Sequence, residues 1–195
     1  MGLLRALKPG ALKSPESIRH NGKRLSKILE EHVLFTRGAE GGVRADLSGA
    51  NLSRADLAKA NLAYANLQGA NLACASLRDA RLGSADFSNA KLRKADLRRA
   101  DLTETNFEAA DLTEAQVGGA ELFRAILRKA ILRSADFGAT NFRSADIHGA
   151  DFTGANMKTA ILRETNLDGV DLSGVDLSTA LLPRGYKPTG AAKGQ

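Results

Sequence analysis

Three histidines (His20, His32, His148), one cysteine (Cys74) and many aspartates and glutamates are the side chains that could act as nucleophiles, general bases or metal ligands. A single cysteine excludes an internal disulfide framework and any multi-cysteine metal site. His148 has Arg128 and Asp168 twenty residues away on either side, so no second imidazole or thiol accompanies it. His32 continues the apolar stripe of Leu25, Ile28 and Leu29 and reads as a packing residue, while His20 lies in a polar stretch. Cys74 stands among residues with no neighbouring base and reads as an inert thiol. Asp151 and Asp171 have the look of a general acid–base pair, but aspartate recurs so regularly that a structural role fits it better than a single catalytic dyad. The residues therefore assign no catalytic, metal or cofactor-binding position and point away from an enzyme.

What positions these side chains is a repeat of five. In 195 residues, positions 47, 52, 57 and every fifth residue through 182 make 28 centres, and each is Leu, Phe, Val, Ile or Met. Two residues before each centre stand 23 alanines, three threonines (Thr105, Thr140, Thr165) and two valines (Val170, Val175). Asp or Asn immediately precedes the centre in 19 of the 28 quintets. Neither the 3.6-residue period of a helix nor the 2-residue period of a strand keeps two such positions on one side. The chain must turn within each quintet, with centre and alanine inward and the polar residues forming corners. Coils closed by a whole number of quintets then stack as a solenoid.

These A(D/N)LXX units, running from Ala45 to Arg184, resemble the bacterial pentapeptide-repeat family. The resemblance implies an all-β solenoid, a right-handed quadrilateral β-helix with four quintets per coil and about seven coils. On that arrangement Leu52, Leu72, Leu92, Leu112, Leu132, Phe152 and Leu172 form one internal column. Family members include rods that protect DNA gyrase from quinolones by presenting a DNA-like acidic surface, and some dimerise through their C-terminal coils, which makes homodimerisation at that end an inference from resemblance.

Residues 1–44 form a basic N-terminal segment, 45–184 the solenoid and 185–195 a C-terminal tail. Ser14-Pro15-Glu16 reads as a helix N-cap with proline in the first turn, and the apolar spacing predicts a helix near residues 23–35 that caps the first coil. Residues 1–13 fit a disordered arm, a helical extension or a docking peptide equally well. At the other end either Tyr186 folds back or another chain covers the last coil.

The net charge of +6 lies outside the repeats: residues 1–44 carry nine basic and four acidic side chains, 45–184 carry 17 and 18, and 185–195 carry two and none. The four faces have net charges of −3, +1, 0 and +1, far from a phosphate-like strip, which disfavours gyrase protection. Lys91, Arg93, Lys94, Arg98 and Arg99 make a candidate basic patch, but interleaved acids and inward-facing Phe87 and Phe107 argue against nucleic acid as its ligand. No segment has the length and apolarity of a membrane span or signal peptide, so cytoplasmic residence is expected. The best reading is a non-enzymatic protein-interaction scaffold with a protein partner of unknown identity; a carbohydrate-active β-helix enzyme would need cleft-forming loops, which the unbroken register leaves out. Four quintets put an aliphatic residue in the Asp/Asn position: Ile126, Ile131, Ile161 and Leu181. With Phe123 they form the candidate interaction surface, and Ile161 and Leu181 are expected to stack one coil apart.

Overall fold

The computed structural model describes residues 11–172 and 174–186 of the chain. From Asp46 onward the backbone is a ladder of parallel bridges between residues twenty apart, from Asp46↔Asn66 to Asn141↔Ile161 and Ile161↔Leu181. A step of twenty is four quintets, so each coil has four sides. Every centre is buried except Leu172 and Leu182, which are partly covered. The alanines before them are almost all buried as well. The core is thus one continuous column of side chains, within which Phe87 stacks on Phe107 at 5.1 Å, one coil above it.

Each quintet turns by a short hydrogen bond from the residue after the turn back to the centre, as from Ala50 N–H to Leu47 O at 3.1 Å. The second residue after the centre takes a positive φ, and at most corners it is not glycine: Arg54, Lys94, Ser134 and Ala139 all lie between +54° and +59°. The stacked backbone bonds hold these residues in a conformation that side chains normally avoid. The Asp or Asn before the centre completes the corner, its Oδ1 accepting the backbone N–H two residues on, as in Ser48 to Asp46 (3.1 Å) and Thr153 to Asp151 (3.0 Å). Asparagines also donate to the acid one coil earlier, as Asn106 does to Asp86 at 3.1 Å. The regular carboxylates are corner-forming groups.

The buried threonines in the alanine position are satisfied: Thr105, Thr140 and Thr165 donate to the carbonyls of Leu82, Val117 and Phe142 at 2.9, 3.0 and 2.6 Å. The valines have no such compensation. Around Val170 and Val175 the ladder opens, and no bridge joins Asp146 to Asn166 or Asn156 to Asp176 among the described residues. Where alanine returns, at Ala180, pairing resumes with Ile161↔Leu181. Extra methyl groups at a corner built for alanine push the last coil away from its neighbour.

The lead-in differs from the expectation at its start. Ser14 precedes a single 3-10 turn, Pro15–Ser17, and its hydroxyl bonds the Glu16 carboxylate, so this is not the first turn of the long helix. A hairpin follows, strand β1 (Arg19–His20) pairing antiparallel with strand β2 (Lys23–Arg24) through Asn21 and Gly22, both at positive φ. Asn-Gly is the strongest short hairpin signal, and here it outweighs helix propensity. Helix α1 spans Leu25–Thr36, buries Leu25, Ile28 and His32, and ends in a Schellman arrangement in which Ala39 N–H bonds Leu34 O and Gly38 N–H bonds Phe35 O. Gly42 is required because a Cβ there would lie 2.4 Å from Phe35 N.

This segment meets the outer edge of the first coil with specific donors and acceptors. Lys13 bridges to Ala55 in parallel, and its carbonyl accepts Asp56 N–H at 2.8 Å, as a preceding coil would. Thr36 Oγ1 accepts from Asn61 Nδ2 at 3.0 Å, and His32 Nδ1 accepts Ala45 N–H at 2.9 Å. At the far end Tyr186 is partly buried against the core, so it does fold back. The expectations for residues 1–10 and 187–195 lie outside the described residues.

Candidate interaction surface

The aliphatic departures from the corner rule fall into two groups. Ile161 and Leu181 are bridge partners, one directly above the other. Leu181 is 45% exposed and Ile161 is half-buried. Replacing Asp or Asn by an aliphatic residue removes the acceptor for the N–H two residues on, and after Leu181 that residue is Pro183, which has no N–H to satisfy. The pair lines a shallow groove of about 380 Å³ with Asn141, Arg143, Arg163 and Glu164. Phe123, Ile126 and Ile131 are not among its walls. Ile126 and Ile131 belong to other ladders, bridged to Asp146 and Asp151, and Phe123 is covered by the Arg124 guanidinium 4.9 Å from its ring centre. The fold therefore brings together two of the five candidate residues.

The basic patch is largely neutralised by its own neighbours. Arg98 makes two bonds to Asp96, at 2.8 and 2.7 Å, and Arg99 makes two to Asp79, both 2.8 Å. Arg93 reaches Asp111 at 3.5 Å and Lys94 reaches Glu114 at 3.3 Å, leaving Lys91 with no ion pair among the described residues. The Arg98 guanidinium beside Asp96 holds its carboxyl below the usual range. These pairs follow the coil step and were invisible until the coil closed.

Among the other chemical candidates, Cys74 is an exposed free thiol and His148 is exposed. Asp151 is held down to about 2 by the Thr153 hydroxyl and N–H and by Arg133, which keeps it ionised. No cluster of metal-ligating side chains occurs among the described residues. His32 is the residue whose role was understated by sequence: fully buried, it accepts a backbone N–H, and burial pushes its pKa down. Its Nε2 finds no hydrogen-bond partner. No helix among the described residues is long and apolar enough to cross a membrane.

The profile of pentapeptide repeats matches the chain in eight copies, over residues 43–79, 80–116, 90–128, 120–158 and 140–178. The chain belongs to the pentapeptide repeat family. Proteins of this family fold as right-handed quadrilateral β-helices, in agreement with the four-quintet coils found here, and are generally structural or interaction proteins without enzymatic activity. Similar solved structures include HetL, a pentapeptide repeat protein involved in heterocyst differentiation regulation in the cyanobacterium Nostoc sp. strain PCC 7120 (27% identity, 73% of this chain and 87% of that chain, TM-score 0.39). Another is a pentapeptide repeat protein of the Arabidopsis thaliana thylakoid lumen (30% identity, 63% and 65% of the two chains, TM-score 0.35). A third is QnrB1, a plasmid-mediated fluoroquinolone resistance protein (23% identity, 70% and 76%, TM-score 0.37). No curated protein sequence matches the chain.

Proposed function

We propose that this pentapeptide repeat protein is a non-enzymatic interaction scaffold of the bacterial cytoplasm, a rod of about seven coils whose N-terminal segment caps one end and whose C-terminal faces engage a protein partner. The observation that carries the reading is the Ile161–Leu181 pair, an aliphatic ladder at the loosened end of the rod where every other corner of the same type favours a polar residue. Small apolar spots rimmed by arginine are typical of protein contact sites. Pairing of the basic patch with Asp79, Asp96, Asp111 and Glu114 supports a protein rather than nucleic acid as the partner.

The test compares wild type with Ile161→Asp and Leu181→Asp by light scattering after gel filtration and by affinity purification with mass spectrometry. Loss of a specific partner, or of a homodimer, in both variants is the expected result. A monomeric wild type whose captured partners all survive both substitutions removes the reading. Gyrase supercoiling in the presence of a quinolone tests topoisomerase protection, and a glycan hydrolysis screen tests the enzyme alternative; both are expected to be negative.

A further inference from the structure

The outward arginine one residue after a centre has three routes to a carboxylate in this coil. It can reach eighteen residues on, to the corner position of the next coil, as Arg128 does to Asp146 and Arg133 to Asp151. It can reach twenty-one residues on, as Arg143 does to both oxygens of Glu164 at 2.9 and 2.8 Å. It can turn back two residues, as Arg98 does to Asp96. Arg128 and Arg133 each occur in an Ala-Ile-Leu-Arg run, residues 125–128 and 130–133. A third such run, residues 160–163, ends at Arg163.

All three routes fail for Arg163. The eighteenth residue on is Leu181, the twenty-first is Arg184, and two residues back is Ile161. Its chain neighbour Glu164 is already held by Arg143 and by the Ser144 hydroxyl. Arg163 makes no ion pair among the described residues, and it forms a wall of the groove beside Ile161 and Leu181. The result is a guanidinium presented at an aliphatic floor, where the two sister arginines hold an aspartate of their own chain. An arginine fork matches the planar geometry of a carboxylate.

We infer that this groove is a carboxylate-recognition site, taking a polypeptide segment in which an aspartate or glutamate is flanked by an aliphatic side chain. Resting on the scaffold reading above, the inference names what that surface selects. The acid replaces the missing corner carboxylate at position 181, and the aliphatic side chain covers the Ile161–Leu181 ladder.

A random dodecapeptide library displayed on phage and selected on the full chain supplies the probe. The expected consensus is an acidic residue next to an aliphatic one, and the best peptide is then measured by fluorescence polarisation. Binding should fall by roughly 10- to 100-fold in Arg163→Ala, and likewise when the peptide's acid is replaced by its amide, since a hydrogen bond to a charged group is lost. Leu181→Asp should also abolish binding, because it gives Arg163 the internal partner that Arg128 and Arg133 have, and it should leave the melting temperature unchanged or higher. Arg128→Ala should bind normally. A consensus without an acid, an amide peptide that binds as well as the acid, or affinity unchanged in Arg163→Ala overturns the inference, while the scaffold reading still stands on its own partner experiment. Failure to enrich any peptide also overturns it.

Discussion

Enlarging Ala95 to leucine should unravel the rod, whereas removing the whole side chain of Arg98, three residues away, should barely register. Ala95 is fully buried, its N–H bonds Leu92 O at 3.0 Å, and its carbonyl accepts Gln116 N–H at 2.9 Å from the coil above. Ala75, Ala95 and Ala115 follow one another at the ladder step of about 4.8 Å. Carbon atoms touch at about 4 Å, so each alanine methyl has slack of only about 1 Å. Leucine extends about 2.5 Å beyond Cβ by ordinary covalent geometry, so it fits only if the coils part. The protein already shows that response at Val170 and Val175, where two extra methyl groups per site accompany a broken ladder. An internal leucine should cost about 3 kcal/mol or more, which is roughly 6–12 °C in melting temperature for a chain of this size. Arg98 gives up only its pairing with Asp96, with a side chain 43% exposed, worth at most about 1 kcal/mol after solvent screening. Thermal unfolding followed by circular dichroism, with hydrogen exchange at the amides of the third and fourth coils, measures both. If Ala95→Leu melts within about 2 °C of wild type, the assignment of inward positions is wrong.

The converse change, Val170→Ala with Val175→Ala, should let the last coil close, protecting the Ile147 and Met157 amides from exchange and raising stability by roughly 1 kcal/mol; unaltered exchange at both would show that the valines are not the cause. Deleting residues 1–38 strips Lys13, His32 and Thr36 from the first coil and should cause aggregation through the bared edge, so a soluble truncation of undiminished stability would refute the capping role. His32 has a lowered pKa in the folded protein, so below the ordinary imidazole value the unfolded chain binds a proton that the folded one resists. Its stabilising contribution is present at neutral pH and is lost as pH falls. Melting temperature should therefore drop more steeply between pH 7 and 5 in wild type than in His32→Gln, and parallel slopes would contradict the assignment of His32 as a neutral acceptor.

Several features were hidden from a reading of sequence alone, each for a physical reason. The Asn21-Gly22 hairpin had a local signal that the helical stripe beside it masked. Lys13 had none, because its partner Ala55 is forty-two residues away and pairs through backbone atoms that carry no side-chain signature. The arginine pairs were ambiguous for a related reason. A guanidinium in this coil can reach a carboxylate two, eighteen or twenty-one residues distant, and only the assembled geometry chooses, as it does differently for Arg98, Arg128 and Arg143.

The period of five, the inward setting of centre and alanine, and the corner role of Asp and Asn were determined by sequence, because each is a steric or hydrogen-bonding demand repeated at every quintet. The stacking of Ile161 on Leu181 followed once the coil was taken to be four quintets. Tertiary structure alone decided which exceptions matter. Thr105 and Val170 both depart from alanine by a β-branched side chain, yet Thr105 finds Leu82 O and stays in register, while Val170 has nothing to bond and the coil beside it opens. The same holds for Arg163, whose isolation comes from three empty routes converging in space. A repeat sets what each position must be on average; whether a departure is absorbed or exposed depends on the atoms one coil away, which the linear order does not place side by side.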